Sequence, residues 1–182
     1  RCGHGGDQGL QVALNRRLVM DILRQKRIPG AVASVDADTC YDQIQHAAGS
    51  LCAQSFDVDP QAILAMLLTI QNMKYYLRTA FGDSDQFFSS ISALLRYQGA
   101  CQGNKGAPAL WLVVSVFLVL MLHRLGHVAR IRSAMSLAVF VFAGFLFVDD
   151  TDLITVAVNC EESPTQVTAR MQAAVDAWHG GL

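Results

Sequence analysis

Three aspartates stand directly after apolar stretches. Asp36 follows Ala31-Val32-Ala33-Ser34-Val35, and Asp149-Asp150 follow a Val- and Phe-rich run that ends at Val148. Carboxylates beside such side chains are costly unless a partner or a cation compensates them, and no Lys or Arg lies close to them in sequence. A divalent ion is the simplest compensation. An all-oxygen donor set favours magnesium, with manganese as the alternative. Two such ions, held by carboxylates, can align an attacking 3′-hydroxyl, a triphosphate and its leaving pyrophosphate. Taken alone, an Asp-Asp pair is more often a solvated turn, so its weight depends on what accompanies it.

The elements that would position these residues follow from the apolar pattern. Leu10, Leu14, Leu18 and Ile22 recur at helical spacing from about 9 to 27, and Pro29-Gly30 reads as the stop. Residues 31–35 read as a short buried strand ending at Asp36. Residues 41–53 read as helical. Asp59-Pro60 opens another helix, with Asp59 as N-cap, running to about 76. Phe81-Gly82-Asp83-Ser84 sits between strand-like stretches and suggests a hairpin. A Gly-rich loop over 98–108 precedes a long helix to about Arg124. Residues 138–148 read as one strand, Asp149-Asp150 as a tight turn, and 153–158 as its partner. Ser163-Pro164 opens a last helix, with Val167, Met171, Ala174, Val175 and Trp178 on its inner side. The order implies an α+β fold, a small antiparallel sheet with helices packed on one face.

Composition narrows the classes. With 182 residues and 52% hydrophobic content, the chain can bury a core and is not a disordered segment. A net charge of −1 gives no hint of a nucleic-acid partner. Arg16, Arg17, Arg24, Lys26 and Arg27 nevertheless crowd one early segment, either as a solvated helix face or as phosphate contacts. The five cysteines have no zinc-type spacing, and an odd count without a signal peptide suggests reduced, intracellular thiols, in nucleus or cytoplasm. His123 and His127 stand four apart on an expected helix, but with no third ligand nearby they read as structural. Two apolar runs, 107–122 and 134–148, fall short of the roughly 20 residues that span a bilayer. A buried helix and a buried strand account for them, so no membrane is expected. A membrane hairpin is the rival.

The motifs around the carboxylates carry a resemblance. Val35-Asp36-Ala37-Asp38-Thr39-Cys40-Tyr41-Asp42 resembles the first palm motif of reverse transcriptases. Gln102-Gly103-Asn104-Lys105-Gly106-Ala107-Pro108-Ala109-Leu110-Trp111 resembles the next, although Lys105 stands where a small residue is expected. Phe147-Val148-Asp149-Asp150 resembles the third. The segment from Met171 to Leu182 is similar to the following helix-and-turn motif, and that from Arg1 to Asn15 to the tail of a finger motif. The order is the family's, and the resemblance is closest to retrotransposons without long terminal repeats. RNA-dependent RNA polymerases also use a second Asp near Asp42, but their Ser-Gly, Thr and Asn motif is missing, and Val148 stands where they usually have Gly.

The resemblance implies a polymerase palm over about 31–182, with the end of the fingers over about 1–30, and RNA-directed DNA synthesis. Asp36 and Asp149 would ligand two Mg2+ ions (or Mn2+), with Asp150 beside them and the Ala37 carbonyl completing one shell. Tyr41 would sit under the incoming sugar and exclude a 2′-hydroxyl. Gln102 and Gly103 would line the template and nucleotide pocket. The partners would be an RNA template, a DNA primer and dNTPs. Both ends read as cut, since most of the fingers and the thumb are not in the sequence, so a truncated and inactive retroelement relic is the other expectation.

Overall fold

The computed structural model describes residues 5–36, 40–89, 99–100, 104–133, 135–147, 150–159 and 161–181, with side chains from residue 9 onward. The chain divides into two compact units, one of 1–38 with 117–182 and one of 39–116. The architecture is α+β, with small antiparallel sheets and packed helices.

In the first unit, β1 (Gly30–Asp36), β7 (Asp150–Val156) and β6 (Gly144–Phe147) form an antiparallel sheet in the order β1-β7-β6. The central strand is therefore β7. The apolar run before Asp149, expected as one strand, is two: β5 (Val139–Phe142) pairs with β4 (Ala129–Arg132), and β6 turns away to pair with β7. The break falls at Ala143-Gly144. A Cβ on Gly144 would fall on the Asp152 carbonyl, 3.0 Å from that carbonyl carbon and 3.1 Å from Leu153 Cα, so only glycine lets the two backbones approach there.

Directly opposed residues share a face and alternate residues change face. One face of the sheet thus carries Val32, Ser34 and Asp36 of β1 beside Ile154, Asp152 and Asp150 of β7. Helix α1 (Gly5–Lys26) covers its apolar end, where Val19 and Leu23 cluster with Ile154 and Val156. The other face carries Leu153 and Thr155, and α6 (Pro164–Gly181) packs there on β1 and β7 with Met171 against Thr155. Helices therefore cover both faces, not one. The reason is β7, whose residues 153–156 are buried on both sides and need cover on both.

The helical spacing of Leu10, Leu14, Leu18 and Ile22 does not mark the buried face of α1. Leu10, Leu14 and Leu18 are 72%, 55% and 50% exposed, while Val19 and Leu23 are buried. The helix ends before Pro29, at Arg27, whose φ of 51° makes a Schellman turn with Ile28 N–H donating to Leu23 O and Arg27 N–H to Arg24 O. At α6 the expected start is a capping box: Ser163 N–H donates to Gln166 Oε1 (2.8 Å) and Gln166 N–H to Ser163 Oγ (3.3 Å). Val167, Met171, Ala174 and Trp178 are its buried face, and Val175 is only partly covered.

The second unit holds α2 (Cys40–Gln43), α3 (His46–Gln54), α4 (Pro60–Gln71) and the hairpin β2 (Tyr75–Thr79) and β3 (Gly82–Phe88). Asp59 caps α4 as expected, accepting from Gln61 N–H at 2.9 Å, but the helix stops at Gln71 rather than near 76.

Helix α5 (Ala107–Arg124) continues from the second unit into the first. It is the one helix among the described residues that is long and apolar enough to cross a membrane, and the described part of the second apolar run is turn and strand, not helix. Gly126 ends α5 with φ 79°, which leaves His127 off the helix that carries His123. The pair therefore lacks the one-turn helical spacing that could chelate a metal.

Candidate active site

The register of the first sheet decides what meets what. Asp36 is the partner of Asp150, and Phe147 is the partner of Asp150 on its other side. One row across three strands therefore reads Asp36, Asp150, Phe147. The next row inward reads Ser34, Asp152, Phe145. The row beyond is apolar and roofed by α1, with Ile154 only 1% exposed. Along a single face the surface thus passes from core to carboxylates within a few residues.

A cleft of about 790 Å3 opens over the carboxylate end. Its floor includes Asp36, Asp150 and Asp152, and its wall is α1, with Arg16, Arg17 and Arg24. Asp36 and Asp150 are exposed to it rather than buried. Burial is therefore not what makes these two carboxylates costly. The cost is mutual repulsion, because directly opposed residues on adjacent strands have Cβ atoms about 4.5–5.5 Å apart and like charges there are destabilising. Neither carboxylate has an ion pair or hydrogen bond among the described residues.

Asp152 differs. Ser34 Oγ donates to its Oδ1 at 2.5 Å, and Arg16 Nη1 lies 3.1 Å from its Oδ2. Sequence reading passed over Asp152, although its position two residues after Asp150 in a strand places it on the same face. The basic segment resolves in part: Arg16 pairs with Asp152, and Arg17 pairs with Asp21 on the exposed side at 3.3 Å.

The other expected site residues belong to the second unit or lie outside the described residues. Ala37, Asp149, Gln102 and Gly103 are outside them, so the expected convergence of Asp36 with Asp149 is carried only by its neighbour Asp150. No group of three His, Cys, Asp or Glu side chains able to hold a metal occurs among the described residues. The donors that are described fit a hard cation: two adjacent carboxylates with no Lys or Arg partner.

Tyr41 is in α2 of the second unit, partly buried, and its carbonyl accepts from Ala100 N–H at 2.6 Å. The segment leading to Gln102 is docked there further. Gly99 N–H donates to Ile44 O, and a Cβ on Gly99 would collide with the Asp42 backbone. Buried His46 completes the dock: Nε2 faces the Gly99 carbonyl at 2.6 Å and Nδ1 faces Gln71 Nε2 at 2.9 Å. A carbonyl only accepts, so Nε2 carries the proton and Nδ1 accepts. Replacing His46 with Ala removes both bonds. The expected cost is about 1–3 kcal/mol of unfolding free energy, checked by urea denaturation. A loss under about 0.5 kcal/mol would contradict this role. Lys105, which stands where the resembled motif has a small residue, introduces no left-handed backbone. It sits in an exposed turn where Asn104 Oδ1 accepts from Gly106 N–H at 2.9 Å.

No protein-family model, curated protein or solved structure matches this chain.

Proposed function

We propose that this chain is the palm region of a reverse transcriptase of the retroelement type, an RNA-directed DNA polymerase with Asp36, Asp149 and Asp150 as its metal-binding carboxylates. One observation carries the reading. Asp36 and Asp150, more than a hundred residues apart in sequence, are direct cross-strand partners at the rim of an open cleft, with no cationic side chain on either. Their motifs are those whose resemblance assigns them to one site.

Bound Mg2+ would supply activation of a primer 3′-hydroxyl and charge neutralisation at the triphosphate. The protein's own part is to hold two carboxylates rigidly on a sheet packed on both faces. Phe147 bounds the pair on the β6 side, and Arg24 gives the opposite wall of the cleft a positive charge for phosphate. RNA template, DNA primer and dNTPs are the partners. Gln102, Gly103 and the Ala37 carbonyl keep the roles that the resemblance gives them.

The test is primer extension on an RNA template with Mg2+ or Mn2+. Labelled dNTP incorporation that stops with EDTA supports the reading. Cation binding without extension favours an inactive relic, and the absence of both binding and extension rules the polymerase reading out. Tyr41 adds a test of sugar selection. Exclusion of a 2′-hydroxyl by its ring is steric, so Tyr41→Ala should cut discrimination between deoxy- and ribonucleotides, as the ratio of kcat/KM values, by about 10²-fold. An unchanged ratio would remove Tyr41 from that role.

A further inference from the structure

Asp152 is the acidic group of the cleft that the proposed chemistry does not use, and its surroundings suggest why it is there. Asp150 and Asp152 project from the same face of β7, about 7 Å apart at the rise of a strand. Arg16 reaches this face from α1 and has its side chain 47% exposed, so packing does not fix it. Asp152, at 16%, is more enclosed and uses one oxygen for Ser34 and the other for Arg16. Asp36 and Asp150 are the other carboxylates that line the same cleft as Arg16 among the described residues, and without Asp152 their mutual repulsion would draw the guanidinium in.

We infer that Asp152 is a positioning residue that sequesters Arg16, and so keeps the Asp36–Asp150 pair uncompensated and open to a divalent cation. The inference rests on the polymerase reading only for the purpose of that cation. The Ser34 hydroxyl fixes the Asp152 carboxylate in the orientation that receives Arg16. Asp152 is thereby occupied and is not itself a ligand.

Two measurements on the full chain test this. The first is Mn2+ binding by isothermal titration calorimetry. Asp152→Asn, nearly isosteric, should weaken Mn2+ binding about tenfold, the scale of one added partly exposed charge interaction. Adding Arg16→Ala to Asp152→Asn should restore wild-type affinity, and Arg16→Ala alone should not weaken it. If the double variant stays as weak as Asp152→Asn, Asp152 is a ligand and the inference is overturned. Unchanged affinity in Asp152→Asn overturns it too.

The second measurement needs no metal. In denaturation experiments, Arg16→Ala and Asp150→Asn should act independently in the wild-type background and become coupled, by severalfold in the folding equilibrium constant, in the Asp152→Asn background. Absence of that coupling overturns the inference even if Mn2+ binds. Its presence in a chain that binds no Mn2+ upholds the sequestration and instead removes the polymerase reading.

Discussion

Replacing Asp150 with Asn is expected to do two opposite things at once. On the proposed polymerase reading, template-directed nucleotide incorporation should fall by about 10³-fold or more, because a carboxylate that would hold the metal charge at the reacting centre is lost. The metal-free protein should become slightly more stable, by about 0.2–1 kcal/mol, because a like-charge cross-strand pair is relieved. Asp36→Asn should behave in the same way, since the two are direct partners. The combination is diagnostic. A structural acid with a cationic partner loses stability when neutralised, whereas these two have no such partner among the described residues. Thermal unfolding in EDTA, beside primer extension, checks both signs. A destabilised variant with intact activity would reverse the assignment.

The second large effect is expected at Gly144. Its missing Cβ lets β6 lie against the Asp152 carbonyl group, and backbone on both sides leaves nothing to move aside. Gly144→Ala should therefore cost about 3 kcal/mol or more, beyond the usual range for overpacking, because β6 must leave β7. Gly126→Ala is the control. That glycine has φ 79° but nothing within 4 Å of a Cβ, so only the conformational cost of about 1 kcal/mol applies. Because β6 also carries Phe147, Gly144→Ala should lower activity with stability, whereas Gly126→Ala should not. Chemical denaturation of the two variants separates them, and equal losses would contradict the close-approach account.

What could be read from the chain alone follows the range of the forces involved. Local chemistry was legible. The Asp59-Pro60 and Ser163-Pro164 helix starts depend on residues within one turn, and both caps form. The inner face of α6 was legible because its apolar residues form a single stripe. In α1 they form two. Leu10, Leu14 and Leu18 make one, Val19 and Leu23 with the partly buried Met20 lie on another, and periodicity cannot choose between them. The sheet chooses: Leu23 lies against Gly30, whose lack of a side chain admits it. The division of 138–148 into β5 and β6 escaped for a similar reason. Every residue in the run suits a strand, and only the partners, β4 for one half and β7 for the other, reveal the break.

At the site, the convergence of Asp36 on the Asp149-Asp150 segment was an expectation of the motif resemblance, but that Asp150 stands in β7 as the direct partner of Asp36, and not in a turn, depends on strand pairing that the sequence does not display. Their exposure was not legible either, since apolar neighbours in sequence implied burial while the cleft leaves both carboxylates open. Asp152 was missed because its partners, Ser34 and Arg16, lie 118 and 136 residues away in sequence.

The central claim is that Asp36 and Asp150 share a divalent cation. Anomalous X-ray scattering from crystals soaked in Mn2+ tests it most directly. The account predicts a peak about 2.1 Å from carboxylate oxygens of both residues, absent from crystals of Asp36→Asn. Crystals of the unaltered chain with no peak between these carboxylates at saturating Mn2+, or with peaks only elsewhere on the surface, would contradict it.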